Sequence, residues 1–359
     1  SIPLSLGHPR QSKPFLLSRL GKAVFGFSRS TAKLGLGKHA PMSLQAAVPL
    51  WAKAQHTSDL DQHALAQSNW TLDYQQLSPG RWQGHLVQIQ LPEVVLLRED
   101  TWPATHQRGR IDDRLFGFAM SLHPRTDLIF HGQRVPEHGM LVGRGNALDL
   151  ITPAQFTLMA LLVDQSLIEP LWQRMYHRPL ASWLEQHRVL VTTEPKAQAL
   201  REHHIRVMNE LMGLAQQSLP ERTALTLRDE LLMEWIEALP ARVSPDESPH
   251  LVRKRQLLAK ACELMTHHSE TPLSVEALCQ EIGTSRRTLN YVFQDLMGLS
   301  PARYQRALRL NAVRRALRQA KPGTTVQDVA TEWGFWHLGQ FARDYRQLFG
   351  EKPSATLGE

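Results

Sequence analysis

Leu278-Cys-Gln-Glu-Ile-Gly283, continuing through Phe293-Gln-Asp-Leu-Met-Gly-Leu-Ser-Pro301, has a second copy in the same chain. That copy is Val329-Ala-Thr-Glu-Trp-Gly334, continuing through Tyr345-Arg-Gln-Leu-Phe-Gly-Glu-Lys-Pro353. In each, a small residue, Cys279 or Ala330, lies four before a glycine, and an aromatic lies eight before a proline. The two glycines of each copy stand 15 and 16 residues apart. This layout predicts a helix-turn-helix twice over. A short first helix stops at a glycine that tolerates positive φ, and the small residue lets a second helix cross it closely. The second helix then needs one apolar stripe. Leu289, Val292, Phe293 and Leu296 supply it in the first copy, and Leu338, Phe341, Tyr345 and Leu348 in the second. The opposite faces carry Arg287, Asn290 and Tyr291, then Gln340, Arg343 and Gln347. Arginine can bond bidentately to guanine edges, and asparagine or glutamine to adenine. One copy alone would equally suit an ordinary helical hairpin; two copies on a basic segment point to a DNA reader.

Between the copies, Pro301 to Gln319 carries Arg303, Arg306, Arg309, Arg314, Arg315 and Arg318, with Leu308, Leu310, Val313 and Leu317 for a buried side. About 18 helical residues span roughly 27 Å. That approaches the ~34 Å helical turn separating successive major-groove faces, so one chain could set both second helices on one side of a duplex. Some of these arginines are expected at phosphates; a solvated face is the alternative.

The stretch Ser274 to Thr356 resembles the AraC/XylS family of bacterial transcription regulators. The likeness rests on SVEALCQEIGTSRRTLNYVFQDLMGLSP, ALRLNAVRRAL and VQDVATEWGFWHLGQFARDYRQLFGEKPSATL. It implies two helix-turn-helix units joined by a long helix, in a bacterial cytoplasmic activator of a catabolic operon, acting at the nucleoid. Double-stranded DNA, RNA polymerase, a small-molecule effector and a second copy are the implied partners. The implied DNA contacts are Arg286, Arg287, Asn290, Tyr291, Arg309, His337, Gly339, Gln340, Arg343 and Arg346. Tyr291 stands where the family often has arginine, so it would stack or touch backbone. Gly339 offers no side chain but permits close approach. His337 is otherwise a capping or packing residue. SRRTL, RLNAVRR and WGFWHLGQF, with Tyr74-Gln-Gln-Leu-Ser-Pro-Gly-Arg-Trp-Gln-Gly84, are most similar to the ethanolamine-utilisation branch of the family. That implies an amine effector with cobalamin as co-ligand. HLGxF and FGExPSxTL also occur in aromatic-acid-responsive members, which keeps an aromatic acid as the alternative.

Charge divides the 359 residues unevenly. Residues 1–41 hold seven Lys/Arg and no acid, residues 42–250 carry −6, and residues 251–359 carry +6. An acidic middle joined to a basic end suggests one part for a small ligand or protein and one for a polyanion. The first 41 residues read as upstream sequence or an added leader, with a targeting peptide as the rival, and little fixed structure is expected there. Val87-Gln-Ile-Gln-Leu91 alternates as a half-buried strand does. Arg114 to Met120, Asp127 to Phe130 and Gly139 to Val142 are further short β-like runs. Phe156 to Val163 suits a buried strand or a helix. Strands at this spacing suggest a small barrel or sandwich. Ser166 to Tyr176, Glu194 to Gln217 and Glu221 to Leu239 carry helical periodicity, and Pro240 to Pro249, with three prolines, reads as a linker. The expected fold class is therefore α+β: a small barrel-like domain with following helices (42–240), a linker (241–250), and an all-α double helix-turn-helix domain (251–359).

No apolar run reaches the ~18 residues of a membrane span. Two cysteines cannot form a disulfide framework or a four-cysteine zinc site, and they suit a reducing cytosol. No phosphate-cradling loop, zinc-protease helix or catalytic spacing appears, so neither a catalytic nor a metal site is expected. Cys279, aligned with Ala330, should be a small buried thiol. His203-His204 and His267-His268 are expected at the surface. Glu230, Glu234 and Glu237 form a solvated face or a dimer seam. Trp82, Trp102, Phe116, Phe118 and Phe130 should pack in a core or line a ligand cavity. Two rival readings stand beside the regulator: an enzyme with a DNA-addressing module, and an architectural DNA binder without an effector.

Overall fold

The computed structural model describes residues 47–144, 148–215, 217–240 and 249–357. The basic first segment, and all but the end of the expected linker, lie outside the described residues. Gln45–Glu359 forms one compact unit.

Its N-terminal half is β-rich. In chain order come β1 (Ala47–Pro49), β2 (Trp51–Thr57), α1 (Leu60–Ala66), β3 (Trp70–Gln76), β4 (Gly84–Leu91), β5 (Val94–Thr101), β6 (Thr105–Ile111) and β7 (Leu115–Ser121). Then follow β8 (Ile129–Phe130), β9 (Gln133–Arg134), β10 (Gly139–Arg144), β11 (Leu148–Thr152), β12 (Phe156–Asp164), α2 (Gln165–Tyr176) and α3 (Leu180–Gln186). β13 (Val189–Val191), α4 (Glu194–Gly213), β14 (Ser218–Pro220) and α5 (Glu221–Ala238) complete this half. The strands pair antiparallel in a seven-stranded sheet, β13-β10-β7-β12-β5-β4-β2, and a five-stranded sheet, β3-β6-β11-β8-β9; β1 pairs with β14 apart. The two larger sheets share a core that includes Phe130 and Leu150 from one and Leu141, Phe156 and Leu158 from the other.

Phe156 to Val163 resolves as strand. β12 sits between β7 and β5, and seven of its nine residues are buried. A strand covered on both faces has no polar side to show, so it loses the alternation that would mark it in sequence. α4 and α5 cover the seven-stranded sheet. That packing corrects the surface expectation for His204, which is 1% exposed. Its ring sits edge-on to Trp235, its Nε2 lies 3.3 Å from the Leu97 carbonyl, and burial pushes its pKa down to about 4. His203 turns outward to pair with Glu234. Trp82, Phe116, Phe118 and Phe130 are buried, whereas Trp102 is half exposed.

The C-terminal half is helical: α6 (Pro249–His267), α7 (Val275–Ile282), α8 (Arg286–Met297), α9 (Pro301–Arg318), α10 (Val326–Glu332), α11 (Leu338–Phe349) and α12 (Pro353–Leu357). Ser274, Ser285 and Ser300 cap α7, α8 and α9 through their hydroxyls, and Thr325 with Asp328 closes a capping box on α10. The first helix of each unit ends at a left-handed glycine, Gly283 (φ 76°) and Gly334 (φ 73°). Leu77, Ile129 and Ile151 of the β-rich half enter the same apolar cluster as Phe293, Tyr304 and Phe341 of the helices. The two halves thus share a core.

Candidate nucleic-acid interface and effector cavity

α8 and α11 have the two-sided build that the repeat requires. Leu289, Val292, Phe293 and Leu296 are buried in α8, and Phe341, Tyr345 and Leu348 in α11, with Leu338 partly buried. Cys279 and Ala330 lie buried in the preceding helices, where each leaves room for the crossing.

The outer faces are exposed. On α8 these are Arg286, Arg287, Asn290 and Tyr291; around α11 they are His337, Gly339, Gln340, Arg343 and Arg346. Arg286 pairs with Glu276 at 2.9 Å. Tyr291 is partnered from outside its unit: Lys254 of α6 lies 4.4 Å from its ring centroid and donates to its hydroxyl at 3.2 Å. The same ammonium is paired with Asp295 at 3.0 Å, so its charge at this position is already balanced. In α11, Arg343 Nη2 donates to Gln340 Oε1 at 2.8 Å, and Gln340 Nε2 donates to Asp344 at 2.8 Å. His337 holds the N-cap position without a side-chain hydrogen bond, so its imidazole adds nothing to the cap. A Cβ at Gly339 would meet nothing within 4 Å.

The arginines of α9 are mostly engaged inside the chain. Arg309 donates through Nε and Nη2 to the Trp333 carbonyl at 3.0 and 2.6 Å, and its guanidinium stacks 4.2 Å from the Phe335 centroid. Arg306 pairs with Asp344. Arg314 reaches Asp59 at 2.6 Å, Arg318 pairs with the same carboxylate, and Arg315 reaches Asp61 at 3.0 Å and Asp73 at 2.6 Å. The backbone hydrogen bond from Gln62 and the Arg314 and Arg318 guanidiniums outweigh burial, so the Asp59 carboxyl lies below the ordinary range.

A second feature lies in the β-rich half. A cavity of about 60 Å³ between the two larger sheets is lined mainly by apolar side chains, Phe118, Phe130, Leu141 and Leu150 among them. One wall holds a carboxylate, Glu99, 2% exposed. Its Oε1 accepts from Gln67 Nε2 at 3.1 Å and from the Tyr74 hydroxyl, and lies 2.9 Å from His63 Nε2. Burial, reinforced by the Glu99 charge, pushes the Tyr74 phenol well up. Gln107 Nε2 and Trp70 Nε1, on residues that also line the cavity, are buried donors without a partner among the described residues. A buried donor without an acceptor costs free energy, so both favour an oxygen brought from outside. A corrin ring is many times larger than this space, so cobalamin does not fit the cavity.

A family model described as a helix-turn-helix domain matches residues 278–359. The chain is 36% identical over 98 residues to a probable thc operon regulatory protein of Rhodococcus erythropolis, covering 27% of this chain and 30% of that one. It is 36% identical over 86 residues to the XylDLEGF operon transcriptional activator of Pseudomonas putida, covering 24% and 27%. It is also 36% identical to a solved probable AraC family transcriptional regulator from Rhodopseudomonas palustris, covering 29% of this chain and 95% of that one, with a TM-score of 0.28. The C-terminal part of this chain is an AraC-type helix-turn-helix domain. This chain spans under a third of the length of the first two relatives.

Two residues on or beside the outer faces of this AraC-type domain escape a reading by motif. Lys254 lies on α6, outside the repeat, and only the fold brings it to Tyr291. Trp336 stands in the turn before α11, 74% exposed. The neighbouring Phe335, by contrast, is buried, so an aromatic in this turn does not reveal its exposure by its place in the sequence.

Proposed function

We propose that this chain is an effector-responsive, sequence-specific DNA-binding regulator, acting as an activator of a catabolic operon. In this reading residues 42–240 bind the effector and can pair with a second copy, and residues 251–359 bind adjacent major grooves and meet RNA polymerase. The observation that carries it is the duplicated outer face, in which Arg287, Asn290, Gln340 and Arg343 all stand exposed over fully apolar undersides. Arg286, Tyr291 with Lys254, His337, Arg346 and Trp336 flank those readers. Gly339 lets the α11 backbone approach. Arg309 serves DNA binding indirectly, by fixing the turn at Trp333 that aims α11.

The cavity between the sheets is the effector site in this reading. Its chemistry favours an amine over an aromatic acid, since Glu99 repels a second carboxylate and attracts a cationic nitrogen. The acceptor that Gln107 and Trp70 lack fits a hydroxyl oxygen, so a small amino alcohol satisfies the wall. Thermal unfolding of the full chain tests this. Ethanolamine at a hundredfold excess over its Kd should stabilise by about 2.7 kcal/mol, Glu99→Gln should abolish that shift, and benzoate should give none. Stabilisation by benzoate and not by the amine would reverse the assignment.

A further inference from the structure

The wall of the cavity and the helix that joins the two DNA-reading units are held by the same two elements. α1 is one. Its inward His63 and the following Gln67 contact Glu99 at the cavity, while Asp59 and Asp61 at its start hold Arg314, Arg318 and Arg315 of α9. β3 is the other. The Tyr74 hydroxyl donates to Glu99, the Tyr74 carbonyl accepts from Arg315 Nη2 at 2.6 Å, and the adjacent Asp73 holds the same guanidinium. Two residues further, Asn311 of α9 makes a paired contact with the Gln76 backbone, 3.0 Å to its N–H and 3.0 Å to its carbonyl. Gln76 Nε2 reaches on to the Leu348 carbonyl of α11 at 2.5 Å.

The chemistry of these contacts is that of phosphate recognition. A guanidinium forks onto a carboxylate as it does onto a phosphate. Arg314, Arg315 and Arg318 lie along one helix at i, i+1 and i+4, and they meet three carboxylates of the β-rich half, Asp59, Asp61 and Asp73, while Arg314 also reaches Glu351 of its own half at 3.3 Å. While these pairs stand, the three arginines are not available to a DNA backbone.

We propose that Asp59, Asp61 and Asp73 occupy the α9 arginines in place of DNA phosphates, and that a ligand seated on Glu99 loosens α1 and β3 and so frees those arginines. The proposal rests on the reading of the chain as an effector-responsive DNA binder. A ligand cation that draws Glu99 away from His63, Gln67 and the Tyr74 hydroxyl unfastens both elements at once. Asp59 and Asp61 stand at the start of α1, and Asp73 adjoins Tyr74 on β3.

Salt titration of binding to a mixed-sequence 40-base-pair duplex tests it, with the full chain and no effector. Asp59→Asn with Asp73→Asn removes two surrogate charges, and asparagine still caps α1. Affinity should rise about tenfold, and the slope of log K against log salt should steepen by about one to two, at roughly 0.9 per phosphate gained. Adding Arg315→Ala should take back about one unit. Asp73→Asn alone, at a half-exposed position, should give a smaller change in the same direction. Tyr74→Phe removes only the hydroxyl at the cavity and should steepen the slope as well. An unchanged slope in folded Asp73→Asn and in the double variant overturns the surrogate role, and an unchanged slope in Tyr74→Phe overturns the relay from the cavity. Absence of binding to any duplex at low salt would instead sink the DNA-binding reading, and this proposal with it.

Discussion

The full chain carrying Arg287→Ala and Arg343→Ala together should bind its operator about 2–6 kcal/mol more weakly than the parent, at about 1–3 kcal/mol for each base-reading arginine. Both side chains are exposed. Arg343 has a hydrogen bond to Gln340 on its own helix, so its removal leaves α11 seated on Phe341 and Tyr345. The loss should therefore appear in gel shifts and not in the melting curve. Each single variant should also relax the preference at one base position, which neutralising a phosphate contact would not do. Unchanged affinity and unchanged sequence preference would remove both residues from the readers.

Phe293→Ala should destabilise the chain by about 3–5 kcal/mol, the range for truncating a buried aromatic. Phe293 is 0% exposed, and its ring lies 5.7 Å from that of Tyr304 on α9. Tyr304 in turn bonds His106 of β6 at 2.7 Å, so the void opens where α8, the joining helix and the smaller sheet converge. Urea unfolding followed by circular dichroism measures the loss. A cost below about 1 kcal/mol would mean that the stripe is not what seats α8.

The helix-turn-helix repeat was legible because its determinants are local. Glycine positions and a three-and-four apolar step fall within one or two turns of each helix, and Gly283 and Phe293 each act where the spacing puts them. The face of α9 was half legible. Six arginines announced a charged side, but of the two carboxylates that hold Arg314 one is 37 and the other 255 residues away in sequence. No local pattern separates an arginine awaiting phosphate from one already paired. Glu99 was hidden for a similar reason. It sits in Val94-Val-Leu-Leu-Arg-Glu-Asp100, whose end reads as a solvated strand terminus, and only His63, Gln67 and Tyr74, contributed by other segments, make its burial tolerable. His204 misled because helix periodicity shows which residues share a face, not which face a sheet will cover. α1, at seven residues, is too short for periodicity to register.

Methylation interference at guanine N7, an atom that only the major groove displays, bears most directly on the claim that two units of one chain read neighbouring grooves. With the full chain on its operator, interference should fall in two clusters about one helical turn apart on one side of the duplex. Arg343→Ala should erase one of them and Arg287→Ala the other. A single cluster that either substitution erases, or no interference at guanine N7, would contradict the account.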